Sequence, residues 1–210
     1  MEKHDLRKQF KHLYLPSSKK VEVVNVPEFR FAMVDGVIEP GSTPGTSSVF
    51  RQAIEALYGI SYTLKFASKR QKEAPTDYTV MPLEALWWME DGEFDITKPD
   101  NWHWTAMIMQ PAHITESVFQ EALAELRAKR PNPALDRLRL ETFTEGLCMQ
   151  TMHIGPYSTE PETISKMTAF AAENGYALCG KHHEIYLGDP RRSAPEKLKT
   201  VIRLPIQRGG

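Results

Sequence analysis

The chain lacks the features that would place it in several specialised classes. Its 210 residues include only two cysteines, Cys148 and Cys179, which lie far apart and form no CxxC unit. We therefore expect two reduced thiols and no disulfide framework. Lys and Arg together number 26 against 27 for Asp and Glu, so the sequence also lacks the basic excess of a nucleic-acid-binding protein.

Long hydrophobic runs are missing as well. No stretch approaches the roughly 18 apolar residues that a membrane-spanning helix requires. The charged start, residues 1–5, is not followed by the apolar segment of a signal peptide. We therefore expect a cytoplasmic protein with no membrane partner. With 41% hydrophobic residues, a chain of this length can bury a substantial core without metal or disulfides.

The familiar catalytic and cofactor motifs are absent. The glycine-rich segment 41–45 lacks the lysine and the Ser or Thr of a phosphate-binding loop, and no nucleophile elbow supports a Ser-His-Asp or Cys-His site. His182 and His183 are adjacent on a predicted strand and would point to opposite faces, so they cannot chelate one ion. The other histidines show no ligand spacing. We expect no metal and no cofactor.

Apolar periodicity and turn residues divide the chain into predicted helices and strands. The first half has a helix over 5–14, strands over 21–26 and 29–34, a helix from about 47 to Gly59, a loop over 65–77, and strands over 78–89 and 102–109. A connecting helix runs from a Thr115 cap to about 129. The second half has a strand over 138–154, a helix over 162–173, and strands over 183–187 and 200–205.

The order strand, helix, strand, strand thus occurs twice. Because the elements do not alternate in βαβ fashion, we predict an α+β fold of two pseudo-symmetric modules, with antiparallel sheets and helices on one face. The expected organisation is one domain over 1–210: an N-terminal module over 1–112, a connecting helix over 113–135 and a C-terminal module over 136–210. The cleft between the modules is the expected ligand site.

All four tryptophans fall between residues 87 and 104. Trp102 and Trp104 are two apart on a strand, so both should point to the same face. Trp87 and Trp88 are adjacent, so one of them must face the second side of the sheet. Large aromatic residues usually belong to a core, but four on two neighbouring strands also suit the wall of a pocket.

A carboxylate, Glu184, lies in the middle of the strand over 183–187. Alternation places Glu184 and Tyr186 on the cleft face, and Ile185 and Leu187 on the face that should meet a helix. Aligning 87–91 with 185–189 matches Trp88 to Tyr186, which predicts that Trp88 also faces the cleft. A carboxylate among aromatic rings can hold a cation, accept a hydrogen bond or act as a general base. The alternative is a solvated glutamate on an exposed sheet face.

Several segments together resemble the GyrI-like small-molecule-binding family. They are 153–157 (HIGPY), 173–176 (ENGY), 183–190 (HEIYLGDP), 199–205 (KTVIRLP), 81–88 (MPLEALWW) and 102–104 (WHW). Four segments resemble the stand-alone branch of this family in particular. They are 81–88, 102–104, the opening segment 5–14 and the strand at Val26 and Pro27. Each motif is loose, but their order and spacing are specific and cover nearly the whole chain.

The resemblance implies two strand-helix-strand-strand modules related by a pseudo-twofold axis, with the ligand between them and a glutamate at the position of Glu184 in the pocket. Transcriptional relatives carry a DNA-binding helix-turn-helix before this domain. The single short helix before the first strand cannot house that motif, so we do not expect a DNA-binding regulator. The stand-alone branch includes proteins that hydrolyse the cyclopropane ring of DNA-alkylating natural products within an aromatic cage.

We therefore expect a hydrolase that binds a planar, hydrophobic small molecule and opens an activated cyclopropane with water. The candidate catalytic residues are Glu184 and Tyr186, and Glu184 is the candidate for orienting or deprotonating that water. The candidate ligand-binding residues are Leu86, Trp88, Trp102, Trp104 and Tyr157. A strand slip of one residue would replace Trp88 with Trp87.

Two other hypotheses remain open at this point. The first is a protein that sequesters planar, often cationic, compounds without turnover, which the same pocket would serve. The second is a protein-inhibiting partner such as a gyrase modulator, for which the sequence shows no acidic patch and no long apolar stripe.

Overall fold

The chain folds into a mixture of helices and strands, and the structure, a computed structural model, describes residues 3–91, 94–99 and 101–209. The helices are α1 (Leu6–Gln9), α2 (Lys11–Tyr14), α3 (Ser48–Arg70), α4 (Glu116–Lys129) and α5 (Glu160–Glu173). The strands are β1 (Lys3–His4), β2 (Glu22–Val37), β3 (Asp77–Tyr78), β4 (Leu83–Trp88), β5 (His103–Gln110), β6 (Arg139–Ile154), β7 (Tyr176–Leu178), β8 (His182–Tyr186) and β9 (Lys199–Arg208). None of the described helices is long and apolar enough to cross a membrane.

The main sheet closes on itself in a barrel-like arrangement. Within the described residues its antiparallel order is β2-β5-β4-β8-β9-β6, and β6 pairs again with β2. The first module contributes β2, β5 and β4, and the second contributes β6, β9 and β8. The predicted α+β class and antiparallel pairing are confirmed. The two predicted sheets are one continuous sheet, since β4 pairs with β8 and β2 with β6.

The β4–β8 pairing relates the two modules. Its middle pair is Ala85 and Glu184, so a twofold rotation about this pair places Trp87 on Tyr186. The sequence alignment matched Trp88 to Tyr186 and is therefore wrong by one residue. A shift of one residue along a strand moves every side chain to the opposite face, so this error reverses the predicted orientation of β4.

Helix α3 is longer than the sequence predicted. It begins after Ser47, whose hydroxyl accepts a hydrogen bond from the backbone N–H of Phe50, and it runs through Gly59 to Arg70. A Cβ at Gly59 would lie 3.2 Å from Leu126 Cδ2 of α4, so this glycine permits close contact between two helices. The predicted helix end at Gly59 and the predicted loop from 65 are wrong, because packing outweighs the low helix propensity of glycine.

Strand β2 also merges two predicted strands. Pro27 lies inside it, between the registered pairs Val26–Gly146 and Glu28–Thr144 of β2 and β6. Because the proline position forms no registered pair, its missing N–H leaves the neighbouring pairs intact.

The predicted connecting helix is confirmed as α4, and the Thr115 hydroxyl accepts from the backbone N–H of Val118.

The inside of the closed sheet contains a buried charged network that the sequence did not predict. The Tyr14 hydroxyl donates to Glu84 Oε1 at 2.7 Å. His183 Nε2 lies 3.1 Å from Glu84 Oε2, and its Nδ1 lies 2.9 Å from Glu145 Oε1. Arg203 Nη1 donates to Glu145 Oε2 at 3.1 Å. Two carboxylates therefore face two cationic groups, which is how charge is tolerated in a core.

Candidate functional site

The candidate site lies on the outer face of the ring, over the β4–β8 pairing. There the indole N–H of Trp87 donates to the Tyr186 hydroxyl oxygen at 3.1 Å, which joins the two modules. Helix α3 covers one side, where the Phe50 ring centroid is 5.0 Å from those of Trp87 and Trp104. Helix α5 begins on the other side with Glu160. The site thus lies between the first turns of two helices.

An aromatic wall, which we define as Phe50, Trp87, Phe94, Trp102 and Trp104, borders this site. The ring centroids of Trp87 and Trp102 are 5.5 Å apart, and Phe94 lies 4.8 Å from Trp102. Trp102 and Trp104 therefore share one side of the sheet, as the sequence predicts. Their indole N–H groups are buried and have no hydrogen-bond partner among the described residues. Buried indole donors usually have a partner, so these two are exceptions.

Two of the predicted ligand-binding residues lie on the opposite face. Leu86 is registered with His183 of β8 and points into the ring. Trp88 shares this orientation, and Lys181 Nζ lies 3.3 Å from its ring centroid. The predicted position of Leu86 and Trp88 at the site is wrong because the internal alignment was displaced by one residue. Trp87 occupies the predicted place of Trp88.

Glu184 is held within the site by its neighbours. It is 6% exposed, and its Oε1 lies 2.9 Å from His182 Nε2. Ala85 is directly opposite on β4. Ile185 faces the ring interior and not a helix, which corrects the sequence prediction, since helices α3 and α5 lie on the Glu184 side. Glu184 is therefore a buried carboxylate bordered by aromatic rings.

Two tyrosines complete this side of the site. Burial and the Glu184 carboxylate raise the pKa of Tyr186 well above its usual range. The ring of Tyr157 meets that of Tyr186 edge-on at a centroid distance of 6.0 Å, and burial raises the pKa of Tyr157 to about 12. Both hydroxyls therefore keep their protons at neutral pH and can donate hydrogen bonds. The structure brings the predicted residues Glu184, Tyr186 and Tyr157 together.

A rigid turn positions Tyr157. His153 Nδ1 lies 2.8 Å from Thr163 Oγ1, and its Nε2 lies 3.2 Å from the Pro156 carbonyl oxygen. Gly155 adopts a φ of +140°, which disfavours other residues, and a Cβ there would lie 3.2 Å from Thr159 Oγ1. The contacts of His153 in the HIGPY segment thus hold the turn that leads into α5.

Glu160, the first residue of α5, belongs to the site and was missed. It is 1% exposed, and its Oε1 has no hydrogen-bond partner within the described part of the chain. Burial and the negative charge of Glu184 raise its pKa. The sequence predicted a helix start at 162 and so left Glu160 outside the helix. Pro161 was the available signal, because proline favours the first helical turn.

A metal centre finds no support in the described ranges 3–91, 94–99 and 101–209, where no group of three or more His, Cys, Asp or Glu residues could hold an ion. The adjacent histidines point to opposite faces as predicted. His182 contacts Glu184 on the outside, and His183 contacts Glu145 on the inside.

The fold is that of a known small-molecule-binding family. A GyrI-like small molecule binding domain model matches residues 19–207, and the chain belongs to the GyrI-like family. Among solved structures, an uncharacterized conserved protein from Listeria innocua is 40% identical, with a TM-score of 0.87 over 98% of this chain and 100% of its own. A hydrolase encoded by lin2189 from Listeria innocua is 38% identical over the same shares, with a TM-score of 0.85.

More distant structures share the fold. The EcmrR C-terminal domain has 12% identity and a TM-score of 0.55, over 90% of this chain and 98% of its own. No curated protein matches the sequence. The comparisons therefore identify a small-molecule-binding domain with solved relatives that are described as hydrolases.

Proposed function

We propose that this protein is a hydrolase that binds planar, hydrophobic xenobiotics against the aromatic wall and detoxifies them by opening an activated cyclopropane ring with water. The observation that carries the proposal is Glu184, a buried carboxyl group beside Tyr186, whose hydroxyl accepts a hydrogen bond from Trp87. The similarity to hydrolases from Listeria innocua supports the reaction class.

The chemistry needs little from the protein. A cyclopropane conjugated to a carbonyl is strained and already electrophilic, so positioning the ring and activating a water molecule are sufficient. Glu184 accepts a proton from water, and the contact between its Oε1 and His182 Nε2 orients the carboxylate. The water oxygen bonds to a ring carbon, a ring C–C bond breaks, and the electron pair moves to the conjugated carbonyl. The reaction forms no covalent enzyme intermediate.

The aromatic wall supplies the binding energy. A flat ligand gains stacking and apolar burial against Trp87, Trp102 and Trp104. The indole N–H group of Trp102, which has no partner among the described residues, is the donor we assign to its polar atoms. Tyr157 is 38% exposed and therefore marks the open side of the site.

The test is to incubate the purified protein with a cyclopropane-bearing DNA alkylator and follow addition of one water by mass spectrometry. We expect conversion above the buffer rate, and we expect Glu184→Gln to reduce it by about 100-fold or more, since general-base catalysis contributes at least that much. Quenching of tryptophan fluorescence should show that the variant still binds a neutral ligand. Glu162→Gln, on the exposed side of α5, is the matched control and should convert at the wild-type rate.

Two results would contradict the proposal. Undiminished turnover by Glu184→Gln would remove this carboxylate from the mechanism. Ligand binding by the wild-type protein without conversion would instead show a protein that sequesters hydrophobic compounds.

A further inference from the structure

The site contains two carboxyl groups from different elements. Glu184 is in β8, and Glu160 is the first residue of α5, near Thr200 of β9. Thr200 is registered opposite Tyr186, so Glu160 and Glu184 lie around the same tyrosine. Among the described side chains, no lysine or arginine forms an ion pair with either carboxyl group. Within the described part of the chain, the one side chain at ion-pair distance from either carboxyl group is His182, whose Nε2 lies 2.9 Å from Glu184 Oε1.

Two buried carboxyl groups without a cation between them do not both ionise, because the second negative charge costs too much in a poorly solvated site. The pair therefore retains one proton near neutral pH. Glu160 is the group that holds it, since Glu184 contacts His182 and Glu160 Oε1 has no partner among the residues described. Burial and Glu184 raise the pKa of Glu160, and the other titratable groups facing it, Tyr157 and Tyr186, also stay protonated.

We propose that Glu160 is a catalytic acid of this site, which protonates the carbonyl oxygen of the substrate while Glu184 accepts the proton of the attacking water. This inference rests on the proposed hydrolysis. The water oxygen forms a bond to a cyclopropane carbon and loses one proton to Glu184. The ring C–C bond breaks, and its electron pair moves through the conjugated system to the carbonyl oxygen, which takes the proton of Glu160. Substrate and water are fully accounted for in one hydroxylated product.

This division of roles lets one site act on both ends of a conjugated electrophile. The proton is taken up where the water attacks and delivered where the negative charge develops, so neither charge accumulates in a buried site. After the reaction Glu184 carries a proton and Glu160 carries the charge. Transfer of one proton between these neighbours restores the starting state, so the cycle consumes no other reactant.

The test is the pH profile of turnover by wild type, Glu160→Gln, Glu160→Asp and the exposed control Glu162→Gln. We expect the wild-type rate to fall at alkaline pH, because Glu160 loses its proton there. Glu160→Gln should lower kcat about 10- to 100-fold, leave ligand binding by fluorescence within about 3-fold, and abolish the alkaline fall. Glu160→Asp should recover part of the rate and of the pH dependence, and Glu162→Gln should match the wild type.

Infrared difference spectroscopy provides a second measurement that needs no substrate. A protonated carboxyl band should be present in the wild-type protein at neutral pH and absent from Glu160→Gln. Wild-type kcat with an unchanged alkaline limb in Glu160→Gln, or a carboxyl band that survives the substitution, overturns the role of Glu160 while leaving that of Glu184 intact. Failure of the wild-type protein to convert any cyclopropane substrate removes the proposed function and the acid role together.

Discussion

At the scale of single residues, the adjacent tryptophans of β4 offer a matched pair of substitutions. Trp87→Phe keeps an aromatic ring but removes the N–H that donates to Tyr186. We expect it to reduce kcat/KM about 5- to 10-fold, because a hydrogen bond contributes on the order of 1 kcal/mol and this one fixes the tyrosine. Trp88→Phe makes the same chemical change on the opposite face and should leave kcat/KM unaltered. Equal losses in the two variants would show that the effect is not specific to the outer face.

Strand alternation was the only feature of the sequence from which residues of the site could be predicted. Alternation places Glu184 and Tyr186 on one face without knowledge of the fold. Choosing between Trp87 and Trp88 requires the register of β4 against β8, which depends on hydrogen bonds between residues about 100 positions apart. Assigning Glu160 to the site requires the position at which α5 starts, and helix boundaries are the least certain part of any sequence prediction.

At the scale of elements, the contact between β2 and β5 shapes the aromatic wall. Gly36 of β2 is registered opposite Trp104, and a Cβ at Gly36 would lie 2.2 Å from Trp104 Cζ2. Trp104 is fully buried and cannot move into solvent. We therefore expect Gly36→Ala to lower the free energy of unfolding, measured in urea, by about 1–3 kcal/mol.

The same substitution should weaken ligand binding, because a displaced Trp104 distorts the wall. Gly45→Ala is the control, since the nearest atom to its Cβ is Thr43 Oγ1 at 3.8 Å in an exposed loop. Wild-type stability and affinity in Gly36→Ala would show that Trp104 has another position available and that the wall is adaptable.

Element boundaries show the limits of local patterns in a similar way. The predicted helix end at Gly59 followed the usual association of glycine with helix ends, and the strands predicted over 21–26 and 29–34 left Pro27 between them. In both places a contact distant in sequence decides the structure: Leu126 of α4 packs on Gly59, and β6 continues alongside β2 past Pro27. The order of elements and the duplication were predictable because they follow from periodicity alone.

At the scale of the whole molecule, the closed sheet gives β8 two different surroundings. Glu184 faces the aromatic wall outside, while the next residue before it, His183, joins Glu84 and Glu145 inside. Arg203 Nη2 also donates to the Leu13 carbonyl oxygen at 2.8 Å, which connects the leading helices to the network. The interior network therefore fixes the strand that carries Glu184.

This network predicts how stability depends on pH. Burial alone would lower the pKa of His183, but Glu145 and Glu84 outweigh it and raise that pKa to about 9, from 6.5 in an unfolded chain. A group with a raised pKa stabilises the fold fully below its unfolded value, and this contribution disappears as the pH rises through its folded value. We therefore expect the free energy of unfolding to fall by on the order of 3 kcal/mol from this group between about pH 6.5 and pH 9.

Urea unfolding at several pH values tests this assignment. His183→Gln should be less stable than the wild type at pH 6.5, because Glu84 and Glu145 lose a buried cation, and it should lose most of the decline toward pH 9. His12→Gln, which alters an exposed histidine, should keep both the wild-type stability and its slope. Glu160, whose raised pKa also destabilises the folded chain as pH rises, accounts for the residual slope. An unchanged slope in His183→Gln would assign the whole decline to Glu160 and leave the interior network without a role in it.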